Sequence, residues 1–290
     1  MTISKPHQDL HIRKMTAQDV TVAMNLKNIV GWNQVESDWN RFLKLEPDGC
    51  FIAELKATIV GTAIGLKYCD DLGWIGMIIT HPDFQKQGIG SALMYAVMGY
   101  LSSGRVKAQK LDATPVGFSL YKRFGFISEY DIERRVGTAL KMSYPDTIRA
   151  FTCDDLKRII EFDSHTFGVN REKVLAALIT ENPDFTASCV NEHGTLCGYI
   201  TARAGQSHVQ IGPWSADTSE SAEALLRFIL SRLHDRSVIL DVPSINRTAI
   251  DFCNKYNLNY KRGFIRMYKG ENKHAGIPKK IYAISGPEKG

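Results

Sequence analysis

The run Gln85-Lys86-Gln87-Gly88-Ile89-Gly90 holds the residue types and spacing most readily turned to chemistry. It follows an apolar stretch, Trp74 to Thr80, that reads as a strand, and it opens a segment in which Ile89, Ala92, Leu93, Ala96 and Val97 recur at helical spacing. The first turn of a helix presents backbone N–H groups without intrahelical partners, and the macrodipole adds about half a positive charge there. Glycines at that mouth let the backbone close on an anion, so the run suits a phosphate. Two common phosphate-binding patterns fail. A P-loop needs glycine, four residues and then Gly-Lys-Ser/Thr, a spacing found nowhere in the chain. The dinucleotide fingerprint needs a third glycine where Leu93 stands and a direct strand-to-glycine turn, whereas seven residues separate Thr80 from Gly88. Asp112 only superficially supplies that fingerprint's ribose-binding acid.

The elements that must position this loop follow from periodicity and punctuation. "HIRKMT" reads as a strand ending at Thr16, which with Asp19 forms a helix N-cap signal for a helix to about Ile29. A second helix is expected from about Val35 to Leu45, stopped by Pro47. "CFIAEL" and "TIVGTAIGLKY" read as a hairpin joined by Lys56-Ala57, and "WIGMIIT" as a third strand halted before Pro82. Beyond the glycine-led helix come a strand, "VKAQKLDA", a helix, "VGFSLYKRF", closed by Gly125, and a last strand pair or one long bent strand, "EYDIERRVGTALK". The fold class is α+β. The second half repeats the plan: "NEHGTLCGYITARA" from Asn191 parallels "ELKATIVGTAIGLK" from Glu54, and "LDVPS" from Leu240 parallels "LDATP" from Leu111. Repeats of this length imply domain duplication. The division is placed at residues 1–143 and 144–290, each half a mixed, mostly antiparallel sheet flanked by helices.

Composition narrows the classes. The chain has 290 residues, 44% hydrophobic and 23% charged, the balance of a globular protein of two domains. A net charge of +5 without a long basic run argues against nucleic acid and is satisfied by an anionic small ligand. No apolar run approaches the roughly 20 residues needed to span a bilayer, so no membrane partner is expected. The six cysteines show neither close pairing nor metal-ligand spacing, and the polar start is no secretory signal, which together suggest reduced thiols, no metal, and a cytoplasmic location.

Gln85 to Gly90 resembles the Gln/Arg-x-x-Gly-x-Gly/Ala signature of the GNAT acetyltransferase superfamily. The preceding "GMIITHPDF" is similar to that family's strand end, and "LYKRFGF" (Leu120 to Phe126) to its Leu-Tyr-x-x-x-Gly-Phe helix end. The resemblance covers roughly residues 10 to 140. It implies acetyl-CoA as co-substrate, its pyrophosphate on the backbone N–H groups of Gln85, Lys86, Gln87, Gly88, Ile89 and Gly90. It also implies a pantetheine arm paired with backbone near Ile78 and Thr80, and an oxyanion near the Thr80 N–H. Tyr121 falls on the family's usual acid position, where a phenol could return a proton to the departing thiolate. The general base stays open among Glu54, Asp70, Asp71, His81 and an ordered water. The implied activity is N-acetylation of a primary amine of a small metabolite; alternatives are a protein lysine or N-terminal acetyltransferase and a non-catalytic acyl-CoA sensor.

The second half resembles a degenerate GNAT-like domain appended in one bacterial subgroup. "SADTSESAEALL" replaces the glycine loop there, with Asp217, Glu220 and Glu223 set to repel a pyrophosphate, and Cys253 stands where the first half has Tyr121. CoA binding is therefore not expected in it, and its work is acceptor-side or structural. Asp163, His165 and Arg171 read as a structural helix-loop-helix rather than a cover over the acceptor.

Overall fold

The computed structural model describes residues 9–69, 71–104 and 106–290. Asp70, one of the candidate bases, lies outside the described residues. The first half runs β1 (Leu10–Lys14), α1 (Val20–Ile29), α2 (Glu36–Leu45), β2 (Cys50–Leu55), β3 (Thr58–Tyr68), β4 (Leu72–Thr80), α3 (Ile89–Ser102), β5 (Ala108–Ala113), α4 (Pro115–Arg123) and β6 (Ile127–Thr138). Local chemistry sets the joints. Asp19 Oδ2 accepts from both the backbone N and Oγ1 of Thr16 at 2.8 Å, the capping expected ahead of α1. Lys56 and Ala57 both take positive φ, 49° and 61°, as a two-residue hairpin turn requires.

The second half runs β7 (Ile148–Ala150), α5 (Asp155–Phe167), α6 (Glu172–Glu181), β8 (Thr186–Val190), β9 (Leu196–Arg203), β10 (Val209–Ala216), α7 (Ser219–Arg232), β11 (Ser237–Pro243), α8 (Arg247–Lys255), β12 (Asn259–Gly270) and β13 (Ile281–Ala283). The expected tandem of mixed, mostly antiparallel sheets is present, but the two sheets are joined edge to edge. The strand order is β1-β2-β3-β4-β5-β12-β6-β11-β10-β9-β8-β7. The last long strands have changed places. β12, late in the second half, pairs antiparallel with β5, Ile265 opposite Ala113, while β6 of the first half pairs with β11, Leu240 opposite Arg135. β6 and β12 also pair with each other at the centre. Residues 143/144 fall in the connection after β6, yet each half-sheet is completed by a strand from across that point. A contiguous reading of the sequence could not see this, because either long strand satisfies the same ladder.

Apolar residues pack on both faces of this sheet. Beneath α3 and α4 lie Ile89, Leu93, Val97, Leu111, Phe124, Phe126 and, from β12, Met267. On the opposite face α1 and α2 share a core with Phe167, Val174 and Leu178 of α5 and α6. A buried ionic network ties the halves there: Asp38 accepts from Arg41 at 2.8 Å and from Arg203 at 2.7 Å, and Arg203 also donates to Glu288 at 2.9 Å. Asn33, between α1 and α2, is hooked to the second half through His208 O at 3.0 Å and Ser207 N at 3.1 Å. Asp163 and Arg171 form a buried bidentate pair at 2.8 Å, which fits the structural reading of that segment. No described helix is long and apolar enough to cross a membrane.

Candidate active site

A fork in the sheet opens the site. β4 and β5 run parallel but pair only from Leu72–Trp74 to Ala108–Lys110, and beyond that point they diverge. The register between β3 and β4 slips at this place, where Met77 takes φ 52° and its carbonyl accepts from Thr62 Oγ1 at 2.8 Å. A bulge of this kind bends the strand and leaves backbone groups unpaired, a form of local strain common beside functional sites. A cavity of 710 Å³ fills the fork. It has room for an extended ligand arm together with a small second substrate.

The loop and helix mouth stand at one end of this cavity. Ile78, Thr80, Gln85, Lys86, Gly88, Ile89 and Gly90 all line it, whereas Gln87 points elsewhere, exposed, with its Nε2 3.5 Å from Asp83 O. Gly88 caps α3 with φ 84°, a left-handed conformation that a side chain would strain. A Cβ on Gly90 would lie 3.3 Å from Leu120 Cδ2, so glycine there permits close packing of α3 on α4. The helix mouth thus offers its free N–H groups to the cavity, with the Lys86 cation on the same loop.

Tyr121 lines the same cavity from α4. Its ring packs edge-on to Phe126, centroids 6.4 Å apart, and over Gly117, where an added Cβ would come within 2.8 Å of the ring. The hydroxyl has no hydrogen-bond partner among the described residues, and burial pushes its pKa well above the usual 10. It is therefore a protonated donor rather than a base. The candidate bases are not brought to it. Glu54 is held by Arg13 at 2.8 Å, Asp71 pairs with Lys107 at 3.1 Å, and His81 Nδ1 accepts from Asp83 N at 3.3 Å; none of the three lines the cavity.

The opposite end is built from residues that sequence reasoning missed: Gln34 before α2, Arg134 on β6, Arg262 and Phe264 on β12, and Glu288 near the C-terminus. Register places Arg262 opposite Arg134, so both project from one face. Their guanidinium carbons lie 5.0 and 4.8 Å from the Phe264 ring centroid. The tail crosses β4 at Gly76, where a Cβ would meet the Glu288 carbonyl oxygen at 2.4 Å, and it is fastened by Trp74 Nε1 to Pro287 O at 3.1 Å and Tyr68 Oη to Lys289 O at 2.7 Å. No local signal announces these residues. They reach the cavity through strand exchange and a returning tail.

The equivalent fork in the second half is filled. β10 and β11 pair in parallel from Val209–Ile211 to Val238–Leu240, and β13 then occupies the gap, pairing with Trp214 and Ser215 while Ile284 N donates to Asp241 O at 2.9 Å. Gly212 is required there, since a Cβ would meet Ile284 O at 2.1 Å. At the mouth of α7 the Thr218 side chain accepts from Ser221 N, Glu223 is taken up by Lys255 and Tyr256, and Cys253 is fully buried.

Comparisons with known proteins agree with this duplication. The GNAT acetyltransferase domain is matched twice, over residues 46–128 and 159–283. The holothin acyltransferase of Pseudoalteromonas sp. (strain SANK 73390) is 23% identical over 261 residues, spanning 89% of this chain and 87% of that one. The uncharacterized N-acetyltransferase YitH of Bacillus subtilis (strain 168) is 25% identical, spanning 66% and 67%. Among solved structures, a Pyrococcus horikoshii protein assigned as an acetyltransferase superposes with a TM-score of 0.83 at 23% identity, covering 100% of this chain and 99% of that one. A tandem GNAT protein from the clavulanic acid biosynthesis pathway gives 0.65 at 11%, covering 90% and 98%.

Proposed function

Because the chain belongs to the GNAT acetyltransferase superfamily and is an acyltransferase of that type, we propose that it moves an acetyl group from acetyl-CoA to a primary amine of a small metabolite. The observation that carries this reading is the single cavity shared by the unpaired stretch of β4, the glycine-led mouth of α3 and the Tyr121 hydroxyl. Bound acetyl-CoA supplies an acyl group activated as a thioester. The N–H groups at Gly88, Ile89 and Gly90 hold its pyrophosphate, with Lys86 beside them. The free backbone of Ile78 and Thr80 pairs with the pantetheine arm as an added strand would. The Thr80 N–H faces the oxygen that gains charge, and Tyr121, kept protonated by burial, holds the proton the departing sulfur needs. Glu288 is no general base: burial opposes its ionisation, but Lys289 and Arg203 outweigh it and hold the carboxyl below its usual range. An amine that enters neutral needs no base, and an ordered water is the acceptor we assign to the proton it sheds on acylation. The tail and β12 close the far end around a small acceptor, beside Gln34 and Arg134 of the first half.

Two measurements test this together. Acetyl-CoA at well above its Kd should raise the melting temperature, and thiol release should follow addition of a suitable amine from a panel of primary amines. A protein whose stability is indifferent to acetyl-CoA would refute the assigned site.

A further inference from the structure

The acyl-transfer reading leaves the acceptor end of the cavity without an assigned chemistry, and charge bookkeeping there is uneven. Arg134 is neutralised by a bidentate pair with buried Asp241 at 2.7 and 2.8 Å. Arg266, on the same face of β12, is neutralised by Asp112 at 2.8 and 2.9 Å. Glu288 is balanced by Arg203 and Lys289. Arg262 is the exception. Its guanidinium has no carboxylate and no hydrogen-bond acceptor among the described residues, although it is only partly exposed and rests against Phe264. Burial and the neighbouring Arg134 hold its pKa below the usual arginine value, outweighing the more distant Asp241, which is already paired to Arg134. A half-dehydrated guanidinium with five donors is costly unless something accepts from it, and a carboxylate matches its fork.

Gln34 supplies the second observation. Its Nε2 donates to Glu288 Oε2 at 2.8 Å, and since that carboxylate can only accept, the amide orientation is fixed by chemistry. Oε1 is thereby left as the free end. It is buried, lacks any hydrogen-bond partner, and belongs to a residue that lines the cavity. A buried carbonyl oxygen in this state is costly, and a turn of the side chain toward the cavity would bring it to an N–H donor there.

We infer that the acceptor is a small primary amine that also carries a carboxylate, the carboxylate pairing with Arg262 and the amine donating to Gln34 Oε1. The inference rests on the acyl-transfer reading of the cavity and adds its substrate class. The cation comes from β12 and the amide from the α1–α2 connection, so the specificity is assembled from both halves. Arg262 acts in recognition and touches no reacting atom.

The test uses the full-length protein with acetyl-CoA and thiol release as readout. Acceptors are the α- and ω-amino acids, each beside its carboxamide and its decarboxylated amine. At least one amino acid should exceed both of its neutral counterparts in kcat/KM by about 10²-fold, the effect of one desolvated ion pair. Arg262→Gln should lower kcat/KM for that amino acid by a similar factor, mainly through KM, and far more than for its carboxamide. Arg262→Lys should recover part of the loss. The acetyl-CoA shift in melting temperature shows whether each variant is folded with an intact donor site. A protein stabilised by acetyl-CoA that acetylates only neutral amines, or no amine of the panel, overturns this inference alone. So does an Arg262→Gln variant that keeps its preference for the carboxylated amine. A protein that neither responds to acetyl-CoA nor releases thiol with any amine removes the acyl-transfer reading on which the inference stands.

Discussion

Tyr121→Phe should separate stability from turnover in opposite directions. The substitution deletes one oxygen and leaves the ring on Gly117 and against Phe126. Since the hydroxyl faces the cavity and no described residue hydrogen-bonds to it, its loss breaks no internal hydrogen bond, and the unfolding free energy should stay within about 1 kcal/mol of wild type. A general acid contributes roughly 10²–10⁴-fold, so turnover should fall by at least about 10²-fold, or close to 3 kcal/mol on the barrier. Acetyl-CoA affinity should change little, because the proton is needed late and not in the ground state. The assay pairs thermal melts, with and without acetyl-CoA, with thiol release at saturating amine. Burial also predicts that the wild-type rate shows no alkaline loss traceable to Tyr121 up to about pH 10, since the phenol remains protonated beyond that point. An unchanged rate in Tyr121→Phe, with the chemical step shown to be limiting, would refute the acid role.

Gly88→Glu should abolish the stabilisation by acetyl-CoA in a folded protein, since it strains a position at φ 84° and sets a carboxylate at the helix mouth; calorimetry showing ordinary affinity would dismiss the phosphate site. Gly117→Ala places a methyl 2.8 Å from the Tyr121 ring, so the ring must shift, and turnover should drop about tenfold or more with donor affinity kept; an unaltered rate would mean the ring position is immaterial. Hydrogen bonding by Arg13 lowers the Asp19 carboxyl to about 2, so its stabilisation is complete above pH 4 and vanishes as pH falls towards 2. Urea unfolding at pH 5 and pH 2.5 should therefore show about 1–2 kcal/mol less acid sensitivity in Asp19→Asn than in wild type, and equal sensitivity would contradict it. Residues 1–143 alone should not form a stable acetyl-CoA-binding unit, because β5 would lack β12 and β6 would lack both of its neighbours; a soluble, folded fragment that binds acetyl-CoA would count against the exchanged pairing.

Much of the loop and helix mouth beside the cavity was legible because it is local. Helix α3 follows from the spacing of Ile89, Leu93 and Val97, and the glycines at its mouth follow from the conformations they permit. The hairpin at Lys56-Ala57 and the cap at Thr16 are likewise written in adjacent residues. The far end of the cavity is not local at all. Gln34 acquires meaning only when Glu288 arrives from 254 positions away, and Arg262 only when its strand inserts beside β5 and β6. Glu54 shows the converse error: a carboxylate attractive as a base is spent on Arg13 across the β1–β2 pair. In the second half, the residue pattern disclosed a lost loop, but not that β13 would fill the fork.

The exchange of β6 and β12 also sets a schedule for the nascent chain. All local elements around the helix mouth have been made once α4 leaves the ribosome, yet the native partner of the β5 edge is absent until Asn259 to Gly270 are translated. At about 5–20 residues per second that wait lasts roughly seven to thirty seconds. Over the same interval β6 can pair with β11 only after residue 237 has appeared, so β5 and the longer β6 both lack their native neighbours. An open β edge of this kind invites pairing with other chains. The cell's difficulty in making this enzyme is therefore expected to lie in the order in which its strands are delivered rather than in the stability of the finished fold.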